Sequence, residues 1–134
     1  MSRHHYDCRV RFSDVDVYGH VNNVKYFEYY QEARLGFLTS LGQEGQEVPG
    51  LHLVVARIDV DYKRPILFRS DPYVVETWVT RVGGSSFDLT AEIKDGDQVL
   101  SRAEAVLVIF DLDTHSPRPL TEQERTRLGA GARA

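Results

Sequence analysis

The chain has 134 residues, 42% hydrophobic and 27% charged, with a formal net charge of -4 and one cysteine. That length suits one domain with a real core and leaves too little for a second, so a single domain over residues 1–134 with one site system is expected. The acidic balance gives no reason to expect nucleic acid, the lone Cys8 implies neither a disulfide nor a structural metal, and no apolar run is long enough for a signal peptide or a membrane span. The expectation is a cytoplasmic protein with no membrane partner.

Along residues 5–12, Tyr6, Cys8, Val10 and Phe12 alternate with His5, Asp7, Arg9 and Arg11, the period of a half-buried strand. Cys8 belongs to the apolar series and is expected in the core; His4 and His5 are expected at the surface. Residues 13–23 carry Gly19, two aspartates and two asparagines and read as an irregular loop, with Asn22 or Asn23 as the N-cap of the next element. Residues 24–41 contain no proline, and Phe27, Tyr30, Phe37, Leu38 and Leu41 trace one apolar face of a helix of about five turns and roughly 27 Å. Gly42 supplies its stop, and 43–50 is a polar loop.

The remainder reads as four strands, 51–63, 73–82, 87–94 and 99–111. Phe87, Leu89, Ala91 and Ile93 oppose Asp88, Thr90, Glu92 and Lys94, so that strand has one buried face. Gly83-Gly84 and Asp95-Gly96 are turn signals that make the last three strands an antiparallel meander. A short helix over 121–128 opens on Thr121 and Glu124 in a capping-box pattern, and 129–134 reads as a frayed tail. One strand, one long helix and four mostly antiparallel strands is an α+β arrangement in which a sheet wraps a helix. Its edge strands need cover, which points to a dimer or a larger homo-oligomer.

Asp14, Asp16, His20, Asn22 and Asn23 fall within ten residues, just before a helix whose first N–H groups lack partners within the helix. A carboxylate beside such donors suits carbonyl chemistry: the donors hold the developing negative charge while Asp attacks or takes a proton from water. On composition alone the bland alternative leads, since Asp and Asn populate loops and caps for local hydrogen-bonding reasons. His20 is open in the same way, as an acid/base or as a hydrogen-bonded loop residue.

The segment Phe12-Ser-Asp-Val-Asp16, then Gly19-His-Val-Asn-Asn23 with Tyr26 and Glu32-Ala-Arg34, resembles the 4-hydroxybenzoyl-CoA thioesterase-like family of hotdog enzymes. Tyr62-Lys-Arg-Pro65-Ile66 with Asp71, Gly84-Ser-Ser-Phe87 and the element order extend the resemblance over nearly the whole chain. It implies a hotdog fold, one long central helix wrapped by a five-stranded antiparallel sheet, with dimers that join sheets edge to edge, homotetramers built from them, and active sites at subunit interfaces. The catalytic carboxylate falls on Asp16, with Asp14 as loop support, Gly19 letting backbone approach the substrate, and Tyr26 near the acyl or pantetheine path. His20, Asn22 and Asn23 match the branch of the family that carries Gly-His-Val-Asn-Asn.

The function this implies is hydrolysis of an acyl-CoA thioester, with Asp16 as general base or nucleophile, helix N-terminal amides polarising the carbonyl, and no cofactor beyond the CoA of the substrate. His20 or Asn23 would orient water or substrate. Lys63, Arg64, Arg81 and the backbone around Ser85 and Ser86 are the candidates to meet CoA phosphates, although exposed Lys and Arg near strand ends are more often solvated faces. Two other functions fit the same residues: a non-catalytic acyl-CoA binder or sensor, and a hotdog enoyl thioester hydratase or dehydratase using Asp16 with His20. A purely structural dimerisation module leaves the loop constellation unexplained.

Overall fold

The computed structural model describes residues 3–41 and 52–132. Strand β1 (His4–Cys8) leads through a one-turn 3-10 helix (Phe12–Asp14) and the Asp16 loop into helix α1 (Lys25–Ser40). Strands β2 (Leu53–Tyr62), β3 (Tyr73–Val82), β4 (Ser86–Asp95) and β5 (Gln98–Asp111) come next, then a two-residue strand β6 (Ser116–Pro117) and helix α2 (Glu122–Ala132). The strand order is β1-β3-β4-β5-β2, with β6 paired to β5 and every ladder antiparallel. The expected meander is therefore β3-β4-β5. Its second turn sits on Gly96, whose φ of +59° is one that L side chains rarely adopt.

The ladders define the inner face of the sheet. Thr77, Ala91, Ala103 and Val60 stand in one row across β3, β4, β5 and β2, while Val79, Leu89, Ala105 and Ile58 make the next. Helix α1 lies across this face and buries Tyr26, Tyr29, Tyr30, Ala33 and Phe37, a stripe at i, i+3, i+4, i+7 and i+11. Toward the start of α1 the core is rich in tyrosine; toward its end Phe37 joins Val79, Phe87, Leu107 and Ile109, closed off by Leu120 and by Leu128 of α2.

Several expectations are corrected. The helix bounds agree to within one residue, but Phe27 is exposed, and Leu38 and Leu41 are only half-buried. Tyr30 and Phe37 are buried as expected, and Tyr26, Tyr29 and Ala33 complete the stripe, the hydroxyls of Tyr29 and Tyr30 finding partners inside. Neither Asn22 nor Asn23 is the N-cap: that position is Val24, and Asn22 acts one step earlier, its Oδ1 accepting from the Val24 amide at 3.0 Å and its carbonyl from the Lys25 amide at 2.9 Å. Strand β1 stops at Cys8, and Phe12 is exposed in the 3-10 turn. His4 turns inward and packs edge-on against Phe37, ring centroids 6.0 Å apart, whereas His5 is exposed as expected. The sheet has six strands, not five. Helix α2 continues to Ala132 through part of the segment expected to fray, with the expected capping box in place: the Glu124 amide donates to Thr121 Oγ1 at 3.1 Å, and the Thr121 amide to Glu124 Oε1 at 2.9 Å. The Gly42 stop and the 43–50 loop lie outside the described residues. Among the described residues no helix is long and apolar enough to cross a membrane.

Candidate active site

The loop between the 3-10 turn and α1 is held on three sides. Val15 bridges Val21, and His20 bridges Leu67, so the loop is a small hairpin laid against the chain beyond β2. The Asp16 amide donates to the His20 carbonyl at 2.8 Å, the Gly19 amide to the Asp16 carbonyl at 3.1 Å, and the Val21 amide to the Ile66 carbonyl at 2.8 Å. Gly19 turns the hairpin at φ +78°, and a Cβ there would meet nothing within 4 Å. Its requirement is therefore conformational, a left-handed residue, and not close packing.

At the tip of this hairpin Asp16 is exposed and half-anchored. Its Oδ1 accepts from the Tyr18 amide at 2.9 Å and the His20 amide at 3.3 Å, an Asx-type turn that fixes the carboxylate to its own loop. Oδ2 has no partner among the described residues. One oxygen orients the group, and the other remains available to water or to a carbonyl carbon.

Two residues earlier, Asp14 does the opposite. It is fully buried at 0% exposure, and its Oδ2 accepts from the Tyr29 hydroxyl at 2.7 Å, the Arg11 amide at 3.0 Å and Arg11 Nε at 3.1 Å. A second Arg11 nitrogen lies 3.0 Å from Oδ1, and the same guanidinium reaches Glu28 on α1 at 3.2 Å. Burial pushes the Asp14 carboxyl up, but the bonds from Arg11 and Tyr29 outweigh it and hold the group below the ordinary aspartate value. The same pair raises the Tyr29 phenol, through burial first and the adjacent carboxylate second. The Asp14 carbonyl accepts from the Asn22 amide at 2.8 Å, so the knot grips both limbs of the hairpin and ties them to α1. Cys8, buried nearby, has its thiol pushed up to about 12 by burial and then by Asp14, which leaves it an unreactive core residue.

Of the other expected site residues, His20 is half-buried and held by its backbone; its imidazole has no partner among the described residues. Asn23 is exposed, and its carbonyl accepts from the Tyr62 hydroxyl at 3.0 Å. Tyr26 is buried with its ring edge-on to Tyr62, centroids 4.7 Å apart. Lys63 and Arg64 leave β2 on this same side, both exposed, their amides sharing the Leu100 carbonyl at 3.0 Å. Arg81, Ser85 and Ser86 are elsewhere. They sit at the β3–β4 turn, and Arg81 is eight residues along β3 from Tyr73, whose hydroxyl donates to the Leu67 carbonyl beside the loop; that is roughly 26 Å within one chain. There Arg81 is already paired, both guanidinium contacts to Asp88 at 3.0 Å and a third to Ser86 Oγ at 2.9 Å.

Around the loop the surface is apolar: Val17 is 93% exposed, Tyr18 79% and Phe12 81%, with Phe12 edge-on to Phe68. The knot residues Arg11 and Tyr29 do not stand out in the sequence. The one signal that could find them is a tyrosine on the buried stripe of a helix, whose hydroxyl demands a partner.

An antiparallel sheet packed over a helix is the fold of hotdog-type thioesterases. Residues 10–128 match the thioesterase-like superfamily, and the chain belongs to it, a thioester hydrolase. It is 31% identical over 123 residues to the long-chain acyl-CoA thioesterase FadM of Escherichia coli (strain K12), covering 90% of this chain and 92% of that protein. The crystal structure of a thioesterase from Thermus thermophilus, complexed with coenzyme A and Zn, matches with a TM-score of 0.81 at 32% identity, over 96% of this chain and 92% of that one. A predicted thioesterase from Bacillus stearothermophilus matches with a TM-score of 0.86 at 25% identity, over 97% and 96%.

Proposed function

We propose that this chain hydrolyses acyl-CoA to a free acid and CoA thiol, with Asp16 as the reacting carboxylate. The observation that carries this is the half-anchored geometry of Asp16, one oxygen bound by its own loop and the other unpartnered, in a chain of thioesterase ancestry. The E. coli relative acts on acyl-CoA by its name and the Thermus relative was solved with coenzyme A, which supports CoA over another thiol carrier.

Asp16 Oδ2 takes a proton from water as the water oxygen bonds to the carbonyl carbon; the tetrahedral centre collapses, the C–S bond breaks, and the thiolate takes that proton back. Direct attack by Asp16 would form an acyl anhydride that water then opens, with the same products. The carbonyl oxygen needs donors. The Val24 and Lys25 amides are engaged by Asn22 and the Phe27 amide by Val24, which leaves the Asn23 and Tyr26 amides, unmatched to any acceptor among the described residues, to polarise it. His20 and Asn23 orient water or substrate, and Gly19 shapes the turn that presents Asp16.

The functional unit in this proposal is a homodimer or homotetramer of single-domain chains. Strand β2 ends the strand order with its outer edge unpaired among the described residues, Val54 and Val55 on it are exposed, and the apolar skirt of the Asp16 loop needs cover. For Lys63, Arg64 and the Arg81–Ser85–Ser86 turn to meet one CoA, the turn must come from a second copy, since one chain holds them at opposite ends. No cofactor beyond the CoA of the substrate enters the chemistry. Free-thiol release from short, medium, long and aromatic acyl-CoAs tests the proposal. Release from at least one class supports it; tight CoA-ester binding with no thiol would make the chain a binder, and an absorbance change on an enoyl-CoA without thiol would make it a hydratase.

A further inference from the structure

Midway along α1 a second set of polar groups converges. Tyr30 and Arg34 cover a cavity of about 20 Å³ whose walls include Thr77, Ala91, Ala103 and Ile58, enough room for one water-sized group. Thr77 is 1% exposed, and its hydroxyl has no hydrogen-bond partner among the described residues. The Arg34 guanidinium has no hydrogen bond or ion pair among them either, and burial, with no neighbouring charge acting on it, pulls its pKa down. Buried polar groups in folded proteins are satisfied in all but a few cases, so the orphaned Thr77 hydroxyl at this small cavity, with the half-buried and unpaired Arg34 at its mouth, calls for a ligand.

The cavity lies on a line with the active site. At the loop end, Tyr26 of α1 touches Tyr62 of β2; one turn on, the Tyr30 hydroxyl donates to Ser101 Oγ at 2.7 Å, and Ser101 stands opposite Tyr62 in the ladder; one turn further, Arg34 and Ile58 meet at the cavity. Two independent rulers agree on the length: eight residues of helix from Tyr26 to Arg34 span about 12 Å, and four residues of strand from Tyr62 to Ile58 span about 13 Å. Helix and edge strand thus run side by side, in opposite directions, from the Asp16 loop to the cavity.

We propose that this cavity is a polar subsite at the far end of the acyl path, which selects acyl groups carrying a carboxylate at their distal end. Arginine offers only donors and a positive charge, and the threonine hydroxyl can donate, so the complementary group is an anionic acceptor. One carboxylate oxygen seats against Thr77 and the other meets Arg34 at the half-buried mouth. The subsite deepens the acyl-CoA proposal and rests on it.

The test compares octanoyl- and decanoyl-CoA with suberoyl- and sebacoyl-CoA, the same chains ending in a carboxylate. Thiol-release kcat/KM is measured for wild type and Arg34→Met, and calorimetric Kd for Asp16→Asn protein with and without Arg34→Met. The expected result is a preference of about tenfold or more for the carboxylate-ended chain of at least one length, in both readouts, falling to near one in Arg34→Met. Thr77→Val, a substitution of similar shape, should lower it a few-fold. A preference for the plain chains, or a carboxylate preference that Arg34→Met leaves intact, overturns the subsite. Calorimetry on Asp16→Asn needs no turnover: an Arg34-dependent binding preference without thiol release from wild type would sink the hydrolytic proposal and keep the subsite.

Discussion

Where α1 ends, the hydrophobic interior is Phe37, Val79, Phe87, Leu89, Leu107, Ile109, Leu120 and Leu128, with no tyrosine among them; where it begins, the interior holds Tyr26, Tyr29, Tyr30 and Tyr73. The first half is held by area removed from water, which is strong and non-directional. The second is held by bonds that have a direction: Tyr29 to Asp14, Tyr30 to Ser101, and Tyr73 to the Leu67 carbonyl, each at 2.7 Å. Apolar packing fixes that elements meet, whereas these bonds fix where a loop stands within a few tenths of an ångström, which a reacting carboxylate requires. The division of labour predicts that damage to one half costs stability and damage to the other costs geometry.

The largest effect should come from the apolar half. Phe87 is fully buried, and Phe87→Ala is expected to cost about 4 kcal/mol of unfolding free energy in a denaturant titration, with the turnover per folded molecule preserved. A comparable loss of turnover in the folded fraction would erase the distinction between the halves. Next comes the knot. Asp14→Asn removes the charge that Arg11 and Tyr29 bind and should cost about 2 kcal/mol at neutral pH, together with a fall in kcat that Phe87→Ala does not show. Because the folded pKa of Asp14 lies below its unfolded value, its contribution is complete above the ordinary aspartate pKa of about 3.9 and is lost as pH falls through the lower folded value. Acid unfolding curves of wild type should therefore drop more steeply below about pH 4 than those of Asp14→Asn, and parallel curves would remove the carboxylate from this role. The smallest effect is Gly19→Ala. A left-handed φ of +78° costs an L residue about 1–2 kcal/mol, read as a modest shift of the thermal midpoint with a larger fractional loss of kcat, since the strain falls on the turn that presents Asp16.

The frame was legible in the sequence where one physical signal acts alone. Alternation over 87–94 gave β4, and Asp95-Gly96 gave the turn into β5, because strand period and positive φ are local properties. The cluster from Asp14 to Asn23 set the loop before α1 apart, although composition alone favoured local hydrogen bonding there over chemistry. What was hidden depends on partners distant in sequence. On α1 Phe27 is exposed while Tyr29 is buried, because a tyrosine goes inside once its hydroxyl has an acceptor, and for Tyr29 that acceptor is fifteen residues away. The inward turn of His4 toward Phe37 and the two-residue β6 likewise come from tertiary contacts. The separation of Lys63 and Arg64 from the Arg81–Ser85–Ser86 turn comes from strand direction, which residue spacing does not carry.

The central claim is that Asp16 carries the chemistry while Asp14 carries the loop. It is tested most directly by free-thiol release from the best acyl-CoA substrate, wild type against Asp16→Asn at equal folded concentration, alongside their thermal melts. The account predicts that Asp16→Asn lowers kcat about a thousandfold with the melting midpoint nearly unchanged, since an exposed, half-anchored carboxylate adds little to stability. A kcat near that of wild type would contradict it and move the reacting group elsewhere in the loop.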